Sequence, residues 1–135
     1  RERYNLLSHL QRHSVSFVVA HEIGHFLCSH FARKREKRLE FEADLAAMAI
    51  VANLAITQGD DWELMYAVAG GLLTLKYIEM LESADASALT SDTHPPAKER
   101  ILKIRQSFAF NDQIYGPGMS FLEFLEGIEP LVLRW

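Results

Sequence analysis

A single cysteine, Cys28, stands in the 135 residues, so no disulfide can form within the chain. A reduced compartment is compatible with that, though other compartments are too. Uninterrupted apolar runs are short. The longest uncharged stretches are Leu45 to Gly59 and Leu64 to Leu75, below the ~18 residues that a spanning helix needs. The expectation is therefore no membrane span. There is no global basic excess either: the formal net charge is −4, which gives no pointer to nucleic acid. Repeats, low-complexity segments and a signal-peptide pattern are missing as well. These absences give a cytoplasmic setting as the expectation. The chain starts at Arg1 without Met, which suggests a single domain, residues 1–135, excised from a longer protein.

What remains is ordinary globular composition, with 49% hydrophobic and 24% charged residues. That is enough for one core. The apolar pattern reads as helices throughout, an all-α fold with no confident strand, although Leu131 to Trp135 could form one. A short helix is expected over residues 1–12. Ser14 is expected to cap a second helix running to about Phe31. A basic connection, Arg33 to Arg38, reads as a solvated link between helices, with anionic lipid or an acidic partner as the alternative. An Ala-rich helix follows from about Glu36 to Thr57, and another from Trp62 to about Glu82. Thr93 can cap a helix that opens at Pro95 or Pro96 and ends near Phe108. A turn is expected at Tyr115-Gly116-Pro117-Gly118, then a last short helix from Ser120. Trp62, Tyr66, Tyr77 and Phe108 read as core, and Gly70-Gly71 as a close packing point against the Ala-rich helix, or else a kink. Phe121, Leu122, Phe124 and Leu125 form a greasy end that would dock on the core or on a partner domain of the parent protein.

Chemistry concentrates in His21-Glu22-Ile23-Gly24-His25. Residues four apart lie ~40° from each other around a helix, so both imidazoles point the same way and can share one cation. Glu22 beside them can reach a water on that cation, whose pKa zinc lowers toward ~7. This HExxH pattern arises by chance in about 2 of 100 sequences of this composition. Its place on an amphipathic helix, and a glycine inside it, add weight. Gly24 costs ~1 kcal/mol relative to Ala, which suggests a second backbone packed close to this face.

A catalytic zinc site takes three protein ligands and one open position. Glu40 and Asp44 share one face of the Ala-rich helix, with Ala43 and Ala47 small enough to let it approach. Glu40 is assigned as third ligand. Asp44 is assigned to accept the far N–H of an imidazole, His21 for choice. Glu42, ~160° round from Asp44, is expected to meet solvent, with a swap between Glu40 and Glu42 as the alternative. A solvated acidic edge paired with Arg35 or Arg38 is the plainer alternative for Glu40 and Asp44. His30 lies ~180° round from His21 and joins the same cation only if the helix ends first. Cys28 reads as a small buried residue. His94, held extended by Pro95, can point into a cleft. It would stabilise the oxyanion or occupy the open position, and Arg100 would serve the oxyanion or pair with an acid such as Asp44.

These residues resemble a gluzincin metallopeptidase, and the pattern is similar to the HtpX / CAAX prenyl endopeptidase family. Its three motifs read here as HEIGH at 21–25, EFEAD at 40–44 and THPP at 93–96, before Glu99-Arg100-Ile101. A soluble relative, such as the phage-exclusion Lit-type peptidases, is resembled about as well. The resemblance implies a zincin-like helical domain, one Zn2+ on His21, His25 and Glu40, Glu22 as general base, and a protein or peptide substrate. The strand that binds substrate backbone in gluzincins would lie before residue 1 or be missing. The expected activity is zinc-dependent endopeptidase. The alternatives are a catalytically silent zinc-binding module for regulation or protein interaction, and a helical module without metal.

Overall fold

The computed structural model describes residues 2–33, 36–58, 61–84 and 94–108, with 120 and 123, and of residues 2–5, 61 and 108 only the backbone. Among the described residues, four helices carry the fold: α1 over Glu2–Leu27, α2 over Lys37–Thr57, α3 over Asp61–Ala84 and α4 over Ala97–Phe108. A 3-10 turn, His30–Ala32, links α1 toward α2. Among the described residues there is no strand. The all-α expectation therefore holds. The expected turn at 115–118 and the strand option at 131–135 lie outside the described residues, as does Thr93. So does the greasy end segment; Ser120 and Glu123, described singly, are helical.

Each long helix turns a stripe of small or apolar residues inward. On α1 the buried positions are Leu10, His13, Phe17, Ala20 and Gly24, a spacing of three and four that follows the helical period. On α2 they come in pairs, Ala43–Asp44, Ala47–Met48 and Val51–Ala52, so this helix is covered over a wide face. On α3 the run Ala67 to Leu72 is buried together with Leu75. Phe17, Met48, Leu72, Leu75 and Ile104 are the largest of the fully enclosed apolar side chains. α1, α2 and α3 pack against one another pairwise, and α4 closes on α3 and α2 through Ile101 and Ile104.

Several boundaries differ from the sequence reading. Residues 2–27 form one continuous helix, not two. Ser14 is no cap: its hydroxyl donates to the Gly70 carbonyl at 3.0 Å, satisfying itself across the α1–α3 seam. Gly70 and Gly71 do mark a close approach, but chiefly to α1. A Cβ on Gly70 would sit 2.7 Å from the His13 Cβ and 3.0 Å from the Ser14 amide nitrogen. One on Gly71 would meet the Phe17 ring at 2.7 Å, and only then Met48 of α2 at 3.0 Å. Trp62 and Tyr77 are exposed, at 65% and 62%, so neither belongs to the core.

Two surfaces carry apolar residues outward. On α1 these are Val15, Val18, Val19, Ile23 and Phe26, of which Val15 and Val18 border a groove shared with Leu73 and Tyr77 of α3. The second belongs to α3. Its stretch Trp62–Ala84 is long and apolar enough, by length and composition, to cross a membrane, with mean hydropathy 1.3 and 39% of it buried. The expectation of no such span came from uninterrupted runs; a window that tolerates Lys76 or Glu79 finds one. Ala67, Val68, Leu72 and Leu75 of this stretch serve the three-helix core, while Trp62, Tyr77, Met80 and Leu81 face outward.

Gly70→Ala is expected to lower stability by about 1–3 kcal/mol, because backbone and Cβ atoms of α1 cannot give way as a flexible side-chain tip would. The gain of ~1 kcal/mol in helix propensity does not offset that. Urea unfolding at unchanged m-value would show the shifted midpoint.

Candidate metal centre

The site sits beside a close contact of α1 with α2. A Cβ at Gly24 would lie 2.9 Å from the Ala43 carbonyl oxygen, 3.1 Å from the Ala43 Cα and 3.2 Å from the Ala46 Cβ. The missing side chain lets two helix backbones meet, and the ligand-bearing residues flank that contact: His21 and His25 on α1, Glu40 and Asp44 on α2.

His21, His25 and Glu40 converge. The His25 and His21 Nε2 atoms are 3.1 Å apart. Glu40 places one oxygen 3.5 Å from His21 Nε2 and the other 3.6 Å from His25 Nε2. Zinc with bonds of about 2.0–2.1 Å in a tetrahedral shell puts neighbouring donor atoms about 3.4 Å apart. Two imidazole nitrogens and a carboxylate that offers one oxygen to each, at these separations, are of the size to take such an ion.

Behind the donors, each imidazole is held from its far side. His21 Nδ1 donates to the Asp44 carboxylate at 3.0 Å. The same carboxylate accepts two bonds of 2.7 Å from Arg100, through Nε and a terminal nitrogen. Asp44 is 1% exposed, so this is a buried, bidentate ion pair tying α2 to α4. Of the two roles open to Arg100, the contact made is the pair with Asp44, and it takes up the guanidinium edge that faces the site. Burial alone would lower the Arg100 pKa, but the bonds to Asp44 and its charge raise it.

His25 is oriented by a residue that helical projection set aside. α1 ends at Leu27, and Ser29 adopts a left-handed backbone with φ 55°. The chain then doubles back and brings His30 under His25, their Nδ1 atoms 2.8 Å apart. His30 is 5% exposed, and its Nε2 lies 3.0 Å from a Glu42 oxygen. One proton arrangement satisfies the chain. Glu42 accepts from His30 Nε2–H, and His30 Nδ1 accepts from His25 Nδ1–H. His25 Nε2 is then left with its lone pair toward Glu40. Glu42 is thus half-buried and engaged, also flanked by Arg38 at 3.2 Å, rather than a solvent-facing acid.

Electrostatics follow from this crowding. Burial pulls the His21 pKa down, but hydrogen bonds to Asp44 and Glu40 outweigh it and push it up to about 9. His25 moves the other way, through burial first and the neighbouring His21 charge second. Burial would raise Glu40, yet the hydrogen bond to His21 and the charges of His94 and His21 hold it below its usual range.

In front of the donors lies an open cavity of about 340 Å³ lined by His21, Glu22, His25, Glu40 and His94, among others. Glu22 is exposed at its wall. His94 reaches the mouth with Nε2 3.6 Å from Glu40, its side chain 47% exposed. Buried Pro95 anchors it, and the start of α4 is fixed by Glu82, which accepts the Ala97 N–H at 3.0 Å. Cys28 is a free, half-buried thiol outside the donor group.

A model of one protein family, described as Peptidase U49, matches residues 1–120. Neither the curated proteins nor the solved structures gave a match. The family match supports the peptidase expectation; the likeness to the prenyl endopeptidases rests on the three sequence motifs.

His30→Ala is expected to weaken zinc binding at this centre by about 10–100-fold while leaving the helices folded. Isothermal titration with zinc beside far-UV circular dichroism measures both. Asp44→Ala should cost far more stability, about 3–5 kcal/mol, because Arg100 would remain buried without its partner. Thermal unfolding of the two variants would show the contrast.

Proposed function

This chain belongs to the Peptidase U49 family, and from that premise we propose that it is a zinc-dependent endopeptidase with Glu22 as general base. The observation that carries the reading is the convergence of His21, His25 and Glu40 at ligand spacing, on the wall of a cavity that Glu22 and His94 share.

His21, His25 and Glu40 would hold the ion and leave the cavity side open. Bound there, zinc would polarise the scissile carbonyl and acidify a water. Glu22, one residue from His21 and exposed in the cavity, takes a proton from the attacking water as its oxygen adds to the carbonyl carbon. Glu22 then returns that proton to the amide nitrogen as the C–N bond breaks, so the carboxylate ends as it began. His94 donates a hydrogen bond to the carbonyl oxygen while it carries negative charge. Asp44 and His30 keep both imidazoles turned with Nε2 inward, and Arg100 keeps Asp44 in place. The substrate is a peptide or protein segment able to enter a cavity open on one side.

Glu22→Gln is expected to abolish chelator-sensitive cleavage of casein or a peptide library, with bound zinc unchanged from the parent chain. Persistent cleavage would reject Glu22 as the base. His94→Ala should lower kcat by about 10²–10³-fold with a smaller effect on KM, the pattern of a group that acts mainly in the transition state. Steady-state kinetics on a cleaved peptide from that library checks it.

A further inference from the structure

Eight residues before the HExxH segment, α1 carries a second pair of histidines four apart, His9 and His13. Glu63, in the first turns of α3, faces them. His9 Nδ1 lies 3.0 Å from one Glu63 oxygen and His13 Nε2 lies 2.7 Å from the other. One donor atom from each residue falls within 4.8 Å of the other two. The His13 and Glu63 side chains are 9% and 12% exposed and that of His9 34%, so the group is enclosed on the His13 side and open to water at His9. The His9 ring is steadied by stacking on Tyr66, centroids 5.1 Å apart, and His13 is clamped where its Cβ meets Gly70.

We propose that His9, His13 and Glu63 form a second binding site for a divalent transition-metal ion of the zinc class, joining the N-terminal half of α1 to the start of α3. Two imidazoles and one carboxylate are the donor types such ions take, and three protein ligands leave room for water. The site is separate from the first: eight residues of helix span about 12 Å, against the about 3.5–4 Å of a shared two-metal centre.

Arg12 also touches this carboxylate, at 2.5 Å, and approaches both rings, at 3.3 and 3.5 Å. A guanidinium cannot ligate a metal. Its side chain is 53% exposed, so it can swing into water. Exposed ion pairs contribute little to stability, so that loss is small. Arg12 therefore competes with the cation for Glu63, and this makes the second site the weaker of the two.

The full chain, dialysed against chelator and titrated with zinc alone, separates the possibilities by calorimetry and bound-metal analysis. Two ions per chain are expected in the parent. One is expected in His9→Ala and in Glu63→Gln, both chosen because they disturb packing least. One is also expected in His21→Ala, and none in His9→Ala combined with His21→Ala. Arg12→Ala should tighten the weaker site by up to about fivefold, the size of a lost surface competitor. In the His21→Ala background, zinc should raise the unfolding temperature, and adding His9→Ala should remove that rise. A single ion whose binding ignores both His9→Ala and Glu63→Gln overturns the proposal and leaves an ion-pair network. A single ion lost in His9→Ala but not in His21→Ala supports this site while rejecting the centre proposed for catalysis.

Discussion

Everything at the centre depends on how closely α1 and α2 approach at Gly24 and Ala43. The carbonyl of one helix fills the space where the other would carry a side chain. At that separation, Glu40 can reach two imidazoles that its own helix does not carry. A methyl group more would push the carboxylate outward, away from both imidazoles. Packing and chemistry are therefore not separable here. The small residues that make the helix seam also set the distance across which the donors meet.

A second constraint holds the donors from behind. Asp44 lies at the junction of three helices: it accepts from His21 on α1, sits on α2, and takes both Arg100 bonds from α4. A buried charge pair of this kind adds little net stability over an apolar replacement, since desolvation consumes most of the attraction. Its contribution is orientation. The carboxylate cannot turn without breaking three bonds, so His21 keeps one tautomer. His25 is served differently, by His30 and then Glu42, a relay whose end is half-open to water. The two imidazoles thus rest on supports of unequal stiffness.

The parts legible in the sequence are those governed by helical period. His21 with His25, and Glu40 with Asp44, follow from a spacing of four, and the need for a small residue at Gly24 follows from its cost in a helix. The contact of Glu42 with His30, where solvent was expected, has one physical reason. Projecting His30 along α1 assumes the helix continues, whereas it stops at Leu27, and the reversal falls on Ser29. A left-handed turn is normally announced by Gly or Asn; a serine there gives no signal. The same limit applies to Ser14, whose type suits a cap but whose hydroxyl is spent on a carbonyl of α3. Tyr77 and Trp62 are exposed because residue type predicts burial only on average. The cluster at His9, His13 and Glu63 carried half of its signal in plain view, an i, i+4 histidine pair, while the third member needed the α1–α3 pairing.

One helix, Glu2–Leu27, bears both histidine pairs, and it is pinned against its neighbours by Gly70 at its middle and through Gly24 near its C-terminal end. A rod trapped at two points cannot roll about its own axis, and the bearing of every ring on it is decided by steric contact. Aim therefore belongs to the polypeptide and not to any guest. A chain made this way would hold its nitrogens in readiness whether or not a cation were bound, so loading it would be a matter of diffusion and proton loss, without refolding.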